Sequence, residues 1–386
     1  MNKRETIFQW LKAGLAAVDP ERLIRDALAE HSGPLTVLAI GKAGAGMCRG
    51  AARAVGQVNG LCITSYEGSV PDGVELMVGD HPYPSEASLK AGLRALEVAP
   101  NADIALISGG GSSLCEVPAK GLDIGFVAEV NRALLDSGAN ITGINLVRSH
   151  LSRIKGGGLG PIPTYVLSDV AGAGPEFVSS GPTISIPRAP DRALSVMRRI
   201  GIEVDQHLEH IIRSSPAKPL QQTEVEVVAD GRTAAHGVVS AAGSSTTARV
   251  LPGWLDGDYL RSLENFIEHS ELGVTVAAGE PSVPTENGGR GGRNTHSALT
   301  ASTMISGTDT WFAALATDGI DGNSRSAGAI VDGTTVERGG DPSQALAAFD
   351  SAAYLEQTGD LIEKGHTGTN VADLWLIWKP ESILKV

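Results

Sequence analysis

Apolar positions along the chain follow two different periods. Over Thr6–Val18 and Glu21–Glu30 they recur at helical spacing, which predicts two helices, with Asp19-Pro20 between them as cap and first-turn proline. At Leu35–Ile40 (LTVLAI) the pattern becomes a short apolar run bounded by Gly-Pro and Gly. Such a run fits a strand buried on both faces, and Ala43–Val55 after it reads as helix. The order of strand, glycine turn and helix then recurs. Leu61–Thr64, Val74–Val78, Ile104–Ile107 and Tyr165–Leu167 are predicted strands, and Ser85–Val98, Leu122–Leu135 and Ile144–Ile154 predicted helices. Ser214–Thr223 (SSPAKPLQQT) is polar, carries two prolines and reads as a linker. Beyond it, Val225–Val228, Ala248–Leu251, Gly273–Ala277, Thr310–Leu315 and Leu374–Trp378 are predicted strands, with helices near Ala234–Ala242, Tyr259–Glu268 and Ala345–Gln357. The alternation predicts an α/β protein of two domains, residues 1–220 and 221–386, the first built on an open parallel sheet. In such sheets ligands bind beyond the carboxyl ends of the strands.

Composition sharpens this picture in one respect. Of 386 residues 48 are glycine, a clear excess over the roughly 7% of an average protein, and they fall in clusters without a G-X-Y period. With 42% hydrophobic and 19% charged residues the chain fills a real core, which excludes disorder. The formal charge is −13 and the basic residues form no run, which argues against nucleic acid or an anionic membrane as partner, while a few cations suffice for an anionic small molecule. Cys48, Cys62 and Cys115 are widely spaced and lack CxxC spacing, as expected of buried thiols in a reducing compartment. No stretch reaches the 18 apolar residues of a membrane span, and Met1–Val18 carries Lys3, Arg4, Glu5 and Lys12. A soluble, cytoplasmic protein is expected.

The glycine clusters carry the candidate chemistry. Gly41-Lys42-Ala43-Gly44-Ala45-Gly46 follows a strand and opens a helix, where main-chain N–H groups bind anions. It matches neither the Walker spacing nor a clean dinucleotide fingerprint, so Lys42 faces either a phosphate or solvent. Ser108-Gly109-Gly110-Gly111-Ser112-Ser113 also follows a strand, and its permissive backbone and hydroxyls favour phosphate binding over a plain flexible loop. In Gly79–Pro84 two prolines orient His81, for binding or for a structural role. Arg148, His150, Arg153 and Lys155 lead into Gly156-Gly157-Gly158, and one or two of these cations are expected to meet an anionic group. Asp169 ends an apolar run and is a general base, a metal ligand or a helix cap. Arg290 and Arg293 lie in a glycine-rich stretch. Asp318 and Asp321 stand among glycines either as divalent-cation ligands or as Asx turns, without EF-hand spacing. Gly365–Asn370, which holds Thr369 and Asn370, brings hydroxyls to the same site or caps a helix.

Taken in order, GKAGAG at 41–46, GDHPYPSEAS at 79–88, ISGGGSSL at 107–114, VRSHLSRIKGGGL at 147–159, SDVAG at 168–172, SSGPT at 179–183, GGRGGRN at 288–294, TDGIDGNSRSAGAIVDG at 317–333 and TGTNVADL at 367–374 resemble the glycerate 2-kinase family with its C-terminal MOFRL domain. The resemblance covers nearly the whole chain. It implies a Rossmann-like N-terminal domain, a MOFRL α/β domain and an active site in the cleft between them. It also implies an ATP-dependent kinase acting on the 2-hydroxyl of D-glycerate, for which an older label is hydroxypyruvate reductase. Lys42, Asp169 and Arg293 carry over as the family's key polar residues. In that frame Gly44, Ser108–Ser113, Thr369 and Asn370 are expected to bind ATP, Arg148, Lys155 and His81 the acid, and Asp169, Asp318 and Asp321 a magnesium ion, in a monomer or homodimer. The chain departs from the family pattern in carrying Thr295-His296 where Gln-Glu follows Asn, His366 where proline is usual, and Ser65 in place of a lysine. A longer hydroxy or sugar acid, or an NAD(P)H-dependent reduction, is the alternative.

Overall fold

The computed structural model describes residues 2–138, 140–214, 223–284 and 288–380. The linker expected over 214–223 falls, from 215 to 222, outside them. The strands in chain order are β1 (Leu35–Ile40), β2 (Val58–Thr64), β3 (Val74–Val78), β4 (Ile104–Ser108), β5 (Thr164–Leu167), β6 (Val225–Ala229), β7 (Ala248–Val250), β8 (Gly273–Gly279), β9 (Trp311–Ala316), β10 (Ser326–Asp332), β11 (Leu361–Glu363) and β12 (Asp373–Lys379). They form two six-stranded sheets, ordered β3-β2-β1-β4-β5-β6 and β11-β10-β9-β12-β8-β7.

In the first sheet β1 pairs in parallel with β2 and β4, β2 with β3, and β4 with β5. Its central strands are buried on both faces, and this is why they read as unbroken apolar runs. The strand expected at Val225–Val228 does not open the second half of the chain. It is β6 and sits at the edge of the first sheet, where Thr164 N–H donates to Glu224 O at 2.8 Å. The second sheet is mixed: β12 is antiparallel to both β8 and β9, β10 to β9 and β11, and only β7 and β8 run parallel. Its core is aromatic, with Phe266, Phe312 and Trp375 meeting at tilted and edge-on angles beside Leu263 and Leu299. The helix expected over 345–357 is broken into Ser343–Ala347 and Ser351–Gln357, with Phe349 between them at a φ of 52°.

The compact units are not continuous in the chain. One comprises Met1–Asp19, Asp169–Gly172 and Ala229–Val386, the other Pro20–Ser168 and Ala173–Val228. Glycine explains why the first helix (Lys3–Ala17) joins the C-terminal strands. A Cβ on Gly14 would stand 2.6 Å from Val238 Cγ2 and one on Gly237 would stand 2.6 Å from Ala17 Cβ, so the helix can lie against Gly231–Ala242 only because both side chains are absent. Arg4 adds hydrogen bonds to the carbonyls of Ile330 and Leu361, and Trp10 meets Trp378 edge-on at 5.0 Å. All three cysteines are buried and free, and no described helix is long and apolar enough to cross a membrane.

Candidate active site

In the first sheet's unit, β1 and β4 lie side by side and the loops leaving their carboxyl ends are knit together. Gly41, at a φ of +129°, has no room for a Cβ against the Ser108 carbonyl. Lys42 N–H donates to Gly109 O at 2.9 Å and Ala43 N–H to Ser108 Oγ at 3.0 Å. A Cβ on Gly110 would be 3.0 Å from Lys42 Cγ and 3.5 Å from His81 Cδ2, so Lys42 and His81 both converge on Gly110. Gly44 opens the helix Gly44–Val55 beside them. The serines divide by burial. Ser108 and Ser113 are buried and spend their hydroxyls on Ala43 N–H and the Gly110 carbonyl, whereas half-buried Ser112 shares a 2.7 Å hydrogen bond with Ser180 Oγ. Ser179 donates to Ser108 O at 2.6 Å. Ser179, Ser180 and Gly181 have successive left-handed φ values of 51°, 60° and 59°, and Ser180 O and Gly181 O accept from Gly156 and Gly157 N–H. The SSGPT motif therefore ties the Gly156–Gly158 turn to the serine loop.

Of the predicted ligands in this unit, Lys155 is turned fully inward and Arg148 is half-buried. Lys155 is 1% exposed and forms an ion pair with fully buried Glu116, against whose backbone Gly92 packs. Burial lowers the Lys155 ammonium from its ordinary value, with Glu116 opposing. Arg148, lowered to about 10 by burial, donates from Nε to Asn131 Oδ1 at 2.6 Å. Glu116 stands in the apolar stretch LCEVPA without any motif of its own, so only the fold reveals it.

In the other unit, Arg293 begins the helix Arg293–Met304. Its Nε donates to Asp373 Oδ2 at 3.0 Å, and its other arm pairs with Glu280 at 2.6 Å. Burial works against the guanidinium charge, but Asp373 and Glu280 outweigh it and hold the proton more firmly than in an ordinary arginine. Burial also pushes the Asp373 carboxyl up to about 6, with Arg293 opposing. Glu280 follows directly on β8, and Asp373 opens β12 within the TGTNVADL motif, without being singled out there.

Asp321 caps this helix from a distant loop. Its Oδ1 accepts from Asn294 N–H at 2.9 Å and its Oδ2 from Thr295 N–H and Oγ1, both at 2.8 Å, so both oxygens are committed. Asp318 Oδ1 accepts from Ile320 N–H at 3.0 Å, an Asx turn. Among the described residues no group of three or more His, Cys, Asp or Glu side chains is placed to hold a metal ion. Asn370 Nδ2 donates to Asp169 Oδ2 at 3.1 Å, and buried Thr369 gives its hydroxyl to Val18 O at 2.9 Å. Buried His296 stacks on Phe349 at 4.6 Å and meets the Tyr259 hydroxyl at 3.1 Å through Nε2.

Residues 6–214, more than half of the chain, match a family described as a domain of unknown function (DUF4147), and residues 273–373 match the MOFRL family. D-glycerate 2-kinase of Thermotoga maritima is 31% identical, over 94% of this chain and 95% of that protein. The chain belongs to the glycerate 2-kinase family. A crystal structure of glycerate kinase from Thermotoga maritima superposes with a TM-score of 0.81 at 30% identity, covering 97% of this chain and 99% of that one. This chain is also similar to a protein from Agrobacterium vitis, 32% identical over 97% of this chain and 94% of its own, that carries a provisional hydroxypyruvate reductase name.

Proposed function

We propose that this chain is a kinase that moves the γ-phosphoryl group of MgATP to the 2-hydroxyl of D-glycerate, giving 2-phosphoglycerate and ADP. The observation that carries the reading is the junction of Gly41–Gly46 with Ser108–Ser113 at the carboxyl ends of adjacent parallel strands, with Lys42 leaning on Gly110. Loops of this kind present main-chain N–H groups and a helix start to phosphate. The likeness to the Thermotoga maritima enzyme supports the choice of acid.

Phosphoryl transfer requires positioning and neutralisation of charge more than covalent help. In this reading Gly109–Ser112 cradle phosphates, with Ser112 as the hydroxyl that contributes, and Lys42 and Arg293 balance charge on the transferring group. Asp373 and Glu280 fix the plane of the Arg293 fork. Asp169, oriented by Asn370, accepts the proton of the 2-hydroxyl. Arg148 takes the substrate carboxylate, with His81 beside Lys42, while Lys155 is left to Glu116. Magnesium enters with ATP as part of the substrate, since Mg²⁺ is commonly held by phosphates and one or two carboxylates. Asp169 and Asp318 are the carboxylates that suit such a contact, because both oxygens of Asp321 serve the helix.

The test is to supply MgATP and D-glycerate and identify the product by phosphorus NMR, with NADH and hydroxypyruvate as the parallel arm. The expected product is 2-phosphoglycerate, and Lys42→Ala should lower kcat by about 10³-fold at an unchanged melting temperature. Wild-type turnover in that variant would remove Lys42 from the mechanism. Turnover only with a longer hydroxy acid would move the substrate, and oxidation of NADH without phosphorylation would favour the reductase.

A further inference from the structure

Asp169-Val170-Ala171-Gly172 leaves the end of β5 yet groups with the C-terminal strands, not with the sheet that β5 belongs to. At its start Asp169 takes the Asn370 hydrogen bond at 3.1 Å. At its end stands half-buried Trp254: a Cβ added at Gly172 would be 2.9 Å from Trp254 Cδ1 and 3.1 Å from Nε1. Gly172 has a φ of +66°, so the segment turns back here at a residue that needs glycine both for conformation and for clearance.

The indole is itself held in place. The Arg232 guanidinium lies 4.8 Å from the ring centroid, and a Cβ on Gly231 would be 3.4 Å from Cζ3. Both residues belong to the first turn of the helix Gly231–Ala242, which Asp230 caps through Thr233 N–H at 3.0 Å. The next residue, Leu255, donates its N–H to Ala278 O at 2.9 Å and so fixes the Trp254 backbone beside β8. A rigid ring, set by a capped helix and a buried strand, thus abuts the segment that carries the carboxylate.

We infer that Trp254 is a positioning residue that seats Gly172 and, with Asn370 at the other end, holds Asp169 in its working orientation. The inference rests on Asp169 being the proton acceptor. Displacement of a reacting group by about 1 Å is enough to cost ~10²-fold in rate.

Steady-state kinetics of the full chain with MgATP and D-glycerate test it, using W254A, W254F, G172A, W254A/G172A and D169N, with urea unfolding midpoints measured on each. Expected are a fall in kcat of roughly 10- to 100-fold for W254A with KM for MgATP changed by less than about twofold, and recovery to within about threefold of wild type for W254F. G172A should impair turnover, and in the W254A background it should cost distinctly less rate than in the wild type, because the clash with the indole is gone while the strain of a left-handed alanine is the same in both. Wild-type kcat in W254A, or fully additive effects of the two substitutions, overturns the inference. An inactive D169N beside a fully active W254A overturns only the role of Trp254. A fully active D169N overturns the role of Asp169 and the inference with it.

Discussion

Lys155 is one of four cations that the sequence sets before Gly156-Gly157-Gly158, and the fold gives it to Glu116 rather than to a ligand. Sequence shows that a charge is present but not how deep it lies, and the partner sits 39 positions away in an apolar stretch. With the two side chains 1% and 0% exposed, loss of either leaves an uncompensated buried charge. Lys155→Met should therefore destabilise the protein by about 3–5 kcal/mol, and Lys155→Met with Glu116→Leu should recover most of the loss, both read from urea unfolding. A single variant with wild-type stability would mean that the pair carries no structural weight. Lys42 differs in depth: it is half-buried over Gly110, in a loop whose backbone is fixed by Gly109 O and Ser108 Oγ rather than by the ammonium. Its replacement is expected to spare the fold.

At the scale of elements, the strands of the first sheet were legible because burial on both faces leaves an uninterrupted apolar run. The second sheet was only partly legible. β10 (SAGAIVD) carries little apolar length, and β11 is three residues long, so both depend on their neighbours for definition. The helix Arg293–Met304 shows the same dependence at its start, which is capped from another loop, by Asp321, rather than by a side chain just before it. The same carboxylate in the sequence fits a cation ligand equally well, and only its four donors decide the matter. Asp321→Asn would turn an acceptor into a donor facing N–H groups and should cost about 1–2 kcal/mol of stability, the range of a lost helix cap. The Mg²⁺ concentration giving half-maximal rate should stay at its wild-type value. A large rise in that concentration with unchanged stability would restore Asp321 as a metal ligand.

For the molecule as a whole, acid acts on two buried groups in opposite senses: Asp373, whose raised carboxyl takes up a proton more readily in the folded state, and His296, which gives it up. His296 is 3% exposed, stacked on Phe349 and edge-on to Tyr259, and burial pushes its pKa down to about 4 from an ordinary 6.5. The folded state thus refuses a proton that the unfolded chain accepts between pH 6.5 and 4, so the unfolded state binds more protons there and stability falls as pH falls through that window. From pH 7 to pH 5 the loss from this group alone is about 2 kcal/mol. The net charge of −13 works in the opposite sense, since acid brings the chain toward its pI of about 5.2 and relieves self-repulsion. The effect of His296 separates from the other two in a variant that keeps the stack without the titrating group. His296→Phe should show a smaller drop in urea midpoint between pH 7 and pH 5 than the wild-type chain, whatever its stability at neutral pH. An identical drop in both proteins would show that acid sensitivity resides elsewhere, and that the His296 imidazole serves packing alone.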